Sequence, residues 1–347
     1  MAVETGEHMI LKKKQAQSHK RGESPTITLA REIDGAYCCS GQMCFEGHAV
    51  SIIGTRSEQQ DSYAMLTMHA EQSDGPEALL AIVCDGIGGF SAGQEASSIG
   101  VASIIETFQA AHRPLSDFAR TFEEGICLAD KRVVALAKAL GSKAGTTAVA
   151  VYEESGKLYW GCVGDSRAYL LRDSKLSCLT RDHNYALTLQ EKVNKGLITQ
   201  QAADADPERE SLISFIGMND VTHIDTSEHG MTMLDGDVML LCSDGLYKSL
   251  SAAEIADIIC QYVGRPSFLP GVLTAAAFDK DLPHQDNTTV IVITCRKDSN
   301  IIITGDTPLT EDELSEVVGR LRAVNDLAEH FANESDTEER GTSYGSF

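Results

Sequence analysis

The chain has 347 residues, 51 of them acidic and 29 basic, for a formal net charge of −22. That length admits one large domain or two small ones, and the charge excludes a general nucleic-acid binder, which needs clustered lysine and arginine to meet phosphates. No apolar run approaches the roughly 20 residues that cross a bilayer, and the N-terminal MAVETGEHMILKKKQ lacks an apolar core followed by a small-residue cleavage site, so neither membrane insertion nor a secretory signal is expected.

Residues 1–47 mix charge, glycine and serine without periodicity and are expected to form a partly flexible arm ahead of a folded domain spanning 48–297. Within the arm, Cys38, Cys39 and Cys44 are close enough to share a metal, but no second Cys or His pair stands at zinc-finger spacing. HAVSIIGTRSEQQDSYAMLTM carries strand signals, and ALLAIVCDG is a short buried strand ending at Asp-Gly. GQEASSIGVASIIETFQAA and DFARTFEEGICLADKRVVALAKAL each carry an apolar helical stripe. Strands follow at TTAVAVYE, KLYWGCVGD, RAYLLRD and KLSCLT. The segment 184–224 is polar and irregular, with one helix expected around Ala186–Lys195. VMLLCSDG reads as a strand. SAAEIADIICQYV reads as a helix in which Ser251 and Glu254 make a capping box. A helix around Gly271–Phe278 then leads to the closing strand NTTVIVITC. Cys84, Cys162, Cys242 and Cys295 lie in apolar strand-like runs, as buried reduced thiols of a cytoplasmic protein do. In the C-terminal extension, 298–347, an amphipathic helix is expected over about 310–332, followed by a disordered acidic tail. Strands that do not alternate regularly with helices point to an α+β fold with antiparallel sheets.

Five aspartates stand at or beside strand ends: Asp61 before SYAML, Asp85 after AIVC, Asp165 after YWGCVG, Asp244 after VMLLCS and Asp286 before NTTVIVI. One Asp-Gly after a strand is ordinarily a turn. Five together suit oxygen ligands for hard cations such as Mg²⁺ or Mn²⁺, which would offset the cost of burying carboxylates. A pair of such ions supports in-line displacement at phosphorus. For Asp165 the plainer alternative is a turn residue paired with Arg167, and for Arg56 a surface ion pair.

The stretches RSEQQD (56–61), VCDGIGGFSAGQEAS, GTTAVAV, VGDSRAYLLR, LTRDHN, LLCSDGL and DNTTVIVI occur in an order and spacing that resemble the metal-dependent protein phosphatase family, also called protein phosphatase 2C, from about His48 to Cys295. The resemblance implies a four-layer α-β-β-α sandwich of two antiparallel sheets flanked by helices, with a metal site at one end. It implies that Asp61, Asp85, Asp244 and Asp286 ligate two Mn²⁺ or Mg²⁺ ions, with the Gly86 carbonyl as a further ligand and Asp85 bridging. Asp165 matches a ligand for a third, weaker ion, and Arg56 matches the clamp on the substrate phosphate. The implied reaction is hydrolysis of phosphoserine and phosphothreonine in proteins by a water activated between the two metals. A cognate serine/threonine kinase or its targets would be partners, and the chain would act as a monomer. The segment 184–224 matches the family's variable flap. A phosphatase dedicated to one regulator, such as an anti-sigma antagonist, is the same chemistry with a narrower substrate.

Two departures matter. Gln60 stands where many members have Glu, which removes a charge near the metals. Ile87 stands where many eukaryotic members carry a His, while the DGxGG-x3-GxxAS pattern looks bacterial. His183 reads as a structural turn residue. The alternative from another class is a pseudophosphatase that binds phosphoproteins without turnover; Gln60 is the one feature in its favour.

Overall fold

Period-two alternation in the long apolar strands sends their side chains to different cores, and this sets the layers. The computed structural model describes residues 33–40, 43–68, 78–88 and 92–297. The expected C-terminal helix and acidic tail, and residues 1–32 of the arm, lie outside them.

In chain order the elements are β1 (Ile33–Ser40), β2 (Met43–Ile52), β3 (Ser62–Met68), β4 (Ala78–Cys84), β5 (Gly86–Gly88), α1 (Ala92–Ala110), α2 (Phe118–Leu140), β6 (Ala144–Thr146), β7 (Ala148–Glu154), β8 (Lys157–Val163), β9 (Arg167–Arg172) and β10 (Lys175–Cys178). There follow α3 (Tyr185–Asn194), α4 (Gln200–Asp204), β11 (Asp225–Thr226), β12 (Met231–Thr232), β13 (Val238–Cys242), α5 (Asp244–Tyr247), α6 (Ala252–Tyr262), α7 (Leu269–Phe278) and β14 (Thr288–Lys297). One antiparallel sheet has the order β1-β2-β14-β13-β9-β10, and a second has β11-β8-β7-β4-β3 with β12 also on β8. A two-stranded piece, β5-β6, stands apart.

On β4, Leu80, Ile82 and Cys84 face Ile104, Phe108, Phe122 and Ile126 of α1 and α2. Leu79, Ala81 and Val83 of the same strand face the other sheet, where they meet Met239, Leu241, Ile291 and Ile293. The alternate residues of β13 and β14, among them Leu240, Val290 and Val292, pack on Ile255, Ile259 and Leu273 of α6 and α7. Three cores therefore separate four layers, helix–sheet–sheet–helix, and the expected sandwich is observed. The capping box at Ser251 and Glu254 is formed, and α3 falls where the helix around Ala186–Lys195 is expected.

Two expectations are corrected. The folded domain does not start at residue 48. β1 and β2 pair with each other, and β2 runs along β14 from Ile52↔Thr288 to Met43↔Lys297, so 33–40 and 43–47 are sheet rather than arm. Cys39 and Cys44 are directly opposed on β1 and β2 and form a disulfide, which rules out both a shared metal and reduced thiols at these two positions. Cys84, Cys162, Cys242 and Cys295 are free and buried, as expected.

Candidate metal centre

Antiparallel pairing explains why distant aspartates meet. Ser62 on β3 pairs with Cys84 at the end of β4, so Asp61 and Asp85 emerge side by side from one sheet. Cys242 on β13 pairs with Val290 on β14, which brings Asp244 and Asp286 to the same end of the other sheet. Asp165 follows β8 in the first of these sheets. Arg56, Asp85, Gly86, Asp165, Asp244 and Asp286 all line one cavity of about 310 Å³; Asp61 does not line it but is buried close to Asp85, Asp244 and Asp286.

Asp61 is held from across the sandwich. Its Oδ2 accepts from the hydroxyls of Ser243 (2.7 Å) and Thr289 (2.6 Å), which belong to the opposite sheet, while its Oδ1 is buried without a hydrogen-bond partner. The Asp85 backbone is fixed by Thr147: its N–H donates to the Thr147 hydroxyl (2.9 Å), and its carbonyl accepts from the Thr147 N–H (2.9 Å). Asp244 begins α5. Lys248, one turn later, binds its Oδ2, and its Oδ1 is buried without a partner. Asp286 accepts from Arg56 Nη2 (2.6 Å); Arg56 is about half exposed at the cavity mouth. Gly86 has no room for a side chain, because a Cβ there would lie 2.3 Å from the Gly93 carbonyl oxygen and 2.5 Å from that of Gln60. The backbone is thereby packed closely beside Asp85.

The electrostatics of the bare cluster are unfavourable. Burial, then the charges of Asp244 and Asp286, push the Asp61 carboxyl up to about 7 against the hydroxyl bonds that lower it. Burial and the neighbouring carboxylates, Asp61 foremost, raise Asp85 well above the ordinary range. Burial and Asp244 push Asp165 up to about 6, while Lys248 draws it down. Clustered carboxylates that resist ionisation, with two buried oxygens lacking partners, are an oxygen-rich donor set for hard divalent cations.

The family model described as Protein phosphatase 2C matches residues 51–267, well over half of the chain. The chain belongs to the protein phosphatase 2C family. It is 29% identical over 187 residues to the serine/threonine protein phosphatase PstP of Mycobacterium tuberculosis, a match that covers 52% of this chain and 34% of that protein. The chain thus spans about a third of the length of this relative. Among solved structures, the serine/threonine phosphatase of S. agalactiae aligns with a TM-score of 0.61 at 26% identity, covering 72% of this chain and 99% of that one. The catalytic domain of PstP in complex with two manganese ions aligns with a TM-score of 0.57 at 25% identity, covering 74% and 100%.

Several residues of this protein phosphatase 2C site carry no signal in the sequence that sets them apart. Asn287 accepts from the Gln60 N–H (2.8 Å) and donates to the carbonyls of Ile53 (2.8 Å) and Glu58 (3.1 Å), so it binds the Arg56 loop to the start of β14. Ser243 and Thr289 orient Asp61. Gln60 packs against Gly93 and donates to the Gly88 carbonyl (3.3 Å). Ile87 lines the cavity and offers no proton. Glu210 and Leu212 of the 184–224 segment also line it. Arg167 does not pair with Asp165; it makes a bidentate bond to Asp182 (2.8 and 2.6 Å) and stacks 3.5 Å over the Tyr247 ring, which removes the turn-and-arginine alternative for Asp165.

A second group of ligand types, Cys162, His183 and Asp225, has its ligand-capable atoms within 4.8 Å of one another. His183 Nδ1 accepts from the Gly164 N–H (3.2 Å), which assigns the proton of the neutral ring to Nε2, 3.3 Å from Asp225. Arg181 occupies both Asp225 oxygens (3.0 and 2.9 Å), and burial pushes the Cys162 thiol up to about 12. The Asp225 carboxylate is thus paired with Arg181 and the Cys162 thiol is held protonated, while the buried His183 Nε2 makes no hydrogen bond of good geometry.

Proposed function

We propose that the chain is a divalent-metal-dependent phosphoprotein phosphatase acting on phosphoserine and phosphothreonine. The observation that carries this reading is the convergence of Asp61, Asp85, Asp244 and Asp286, with two partnerless buried oxygens, beside an exposed arginine at the cavity mouth. The four carboxylates and the Gly86 carbonyl are the residues that would hold two Mn²⁺ or Mg²⁺ ions. Bound there, such a pair supplies an activated water and neutralises charge for in-line displacement at phosphorus.

The chain's own residues do the rest. Ser243 and Thr289 donate to one Asp61 oxygen and leave the other for a cation. Asn287 sets the position of the loop that carries Arg56, whose forked guanidinium binds two phosphate oxygens once it leaves Asp286. Ile87 gives no proton to the departing seryl or threonyl oxygen, so that proton comes from solvent in the open cavity. Glu210 and Leu212 place the flap segment against the substrate's flanks. The relatives' names support a protein substrate; a serine/threonine kinase on the other side of the cycle, a cytoplasmic location and a monomeric state are our own assignments.

The test is phosphate release from a phosphothreonine peptide with Mn²⁺, with Mg²⁺ and with EDTA. Release with metal, none with EDTA and none from Asp244→Asn is expected. Peptide binding without release in any metal, by folded protein, would replace the enzyme with a binding module.

A further inference from the structure

The family resemblance implies a third ion at Asp165, and the surroundings of Asp165 do not fit one. Asp244 opens the single turn of α5 and Lys248, four residues on, is its C-cap, so the two share one face. The Lys248 ammonium binds Oδ2 of Asp244, while Oδ1 is buried and open. The two oxygens of Asp244 are thus divided between a cation site and a lysine that the chain itself provides.

Asp165 and Lys248 line the same cavity. Among the described residues that line the cavity, the cationic ones are Arg56 and Lys248. Arg56 is engaged at Asp286, and Arg167 is turned to Asp182. Lys248 is left, and its charge acts on Asp165. The wall behind is firm, because the Tyr247 hydroxyl donates to the Asp165 carbonyl (3.1 Å) and Tyr247 is held under Arg167. A divalent ion shared by Asp165 and Asp244 Oδ2 would have to eject the ammonium or sit beside it, and like charges at that range repel.

We propose that Lys248 takes the place of the third ion: its ammonium supplies the positive charge that Asp165 and Asp244 Oδ2 would otherwise draw from a metal, and the chain binds two divalent ions, not three. The inference rests on the two-ion phosphatase reading above. An ammonium on a flexible stem is a compact charge with three donors, so it serves both carboxylates without the fixed coordination shell a metal demands.

The test counts bound Mn²⁺ per chain by equilibrium dialysis with metal analysis, independently of turnover. Wild type is expected to bind two. Lys248→Asp and the milder Lys248→Gln, both checked for folding by circular dichroism, are expected to bind a third, more weakly than the first two. Adding Asp165→Asn to Lys248→Asp is expected to return the count to two. Three ions on wild type, one of them lost in Asp165→Asn, would overturn the inference and leave the phosphatase reading standing. A count that stays at two in both folded Lys248 variants would also overturn it. Fewer than two on wild type would remove the two-ion reading and the inference with it. Two ions without phosphate release would sink only the enzyme.

Discussion

Arg56 has two possible partners that cannot be served at once, the Asp286 carboxylate it now binds and a phosphate at the cavity mouth. Charge-assisted hydrogen bonds contribute about 1.5–3 kcal/mol, so Arg56→Ala should raise KM for a phosphothreonine peptide about 10- to 100-fold. Mn²⁺ affinity should rise slightly, because Asp286 loses a competing cation. Steady-state kinetics beside a Mn²⁺ titration checks both, and a loss of Mn²⁺ affinity as large as the loss in KM would contradict the clamp. At this scale the clustered aspartates were legible, since each stands at or beside the end of an apolar strand. Their supports were not. Ser243 and Thr289 lie 182 and 228 residues from Asp61, and a serine or threonine in a strand has no mark that says which carboxylate it will meet. Lys248 was not singled out either: it meets Asp244 because the short helix α5 brings residues four apart together.

Helix α2 sits on the second sheet through an absence. A Cβ on Gly161 of β8 would lie 2.6 Å from the ring of Phe122, which is fully buried and has no route to solvent. Gly161→Ala should therefore cost about 1–3 kcal/mol as overpacking, which lowers Tm by about 2–12 °C for a domain of this size. Calorimetry with a Mn²⁺ count would show the fall in Tm with the count unchanged; an unchanged Tm would mean that Phe122 has room to yield. Elements with strong local signals were readable from the sequence, among them α1 and α2 by their stripes and α6 by its capping box. β1 and the first half of β2 were not, because residues 33–47 alternate poorly. β2 takes its order from β14, about 250 residues later, and β1 takes its order from β2; no local pattern records a partner as distant as β14.

The described residues form a sandwich whose two sheets each push carboxylates into the same cavity, in a chain that carries a net charge of −22. Without cations that end of the fold is self-repelling, so ions that bind the folded state and not the unfolded chain must stabilise it, by about 2.7 kcal/mol per site at a hundredfold excess over Kd. The pH dependence follows from Asp61. In EDTA its folded pKa is about 7 against an ordinary 3.8, so across that window the folded state keeps a proton that the unfolded chain has released. Its contribution to stability is full below about 4 and is lost as pH rises through about 7. With Mn²⁺ bound the carboxylate is ionised in the folded state as well, and this loss disappears. The difference in Tm between Mn²⁺ and EDTA samples should therefore widen from pH 5 to pH 8. Burial lowers the His183 pKa and gives a slope of the opposite sign, but it acts in both samples and cancels in the difference. A difference that is flat across that range would mean that Asp61 gives up no proton when the ions bind, and would remove it from the ligand set.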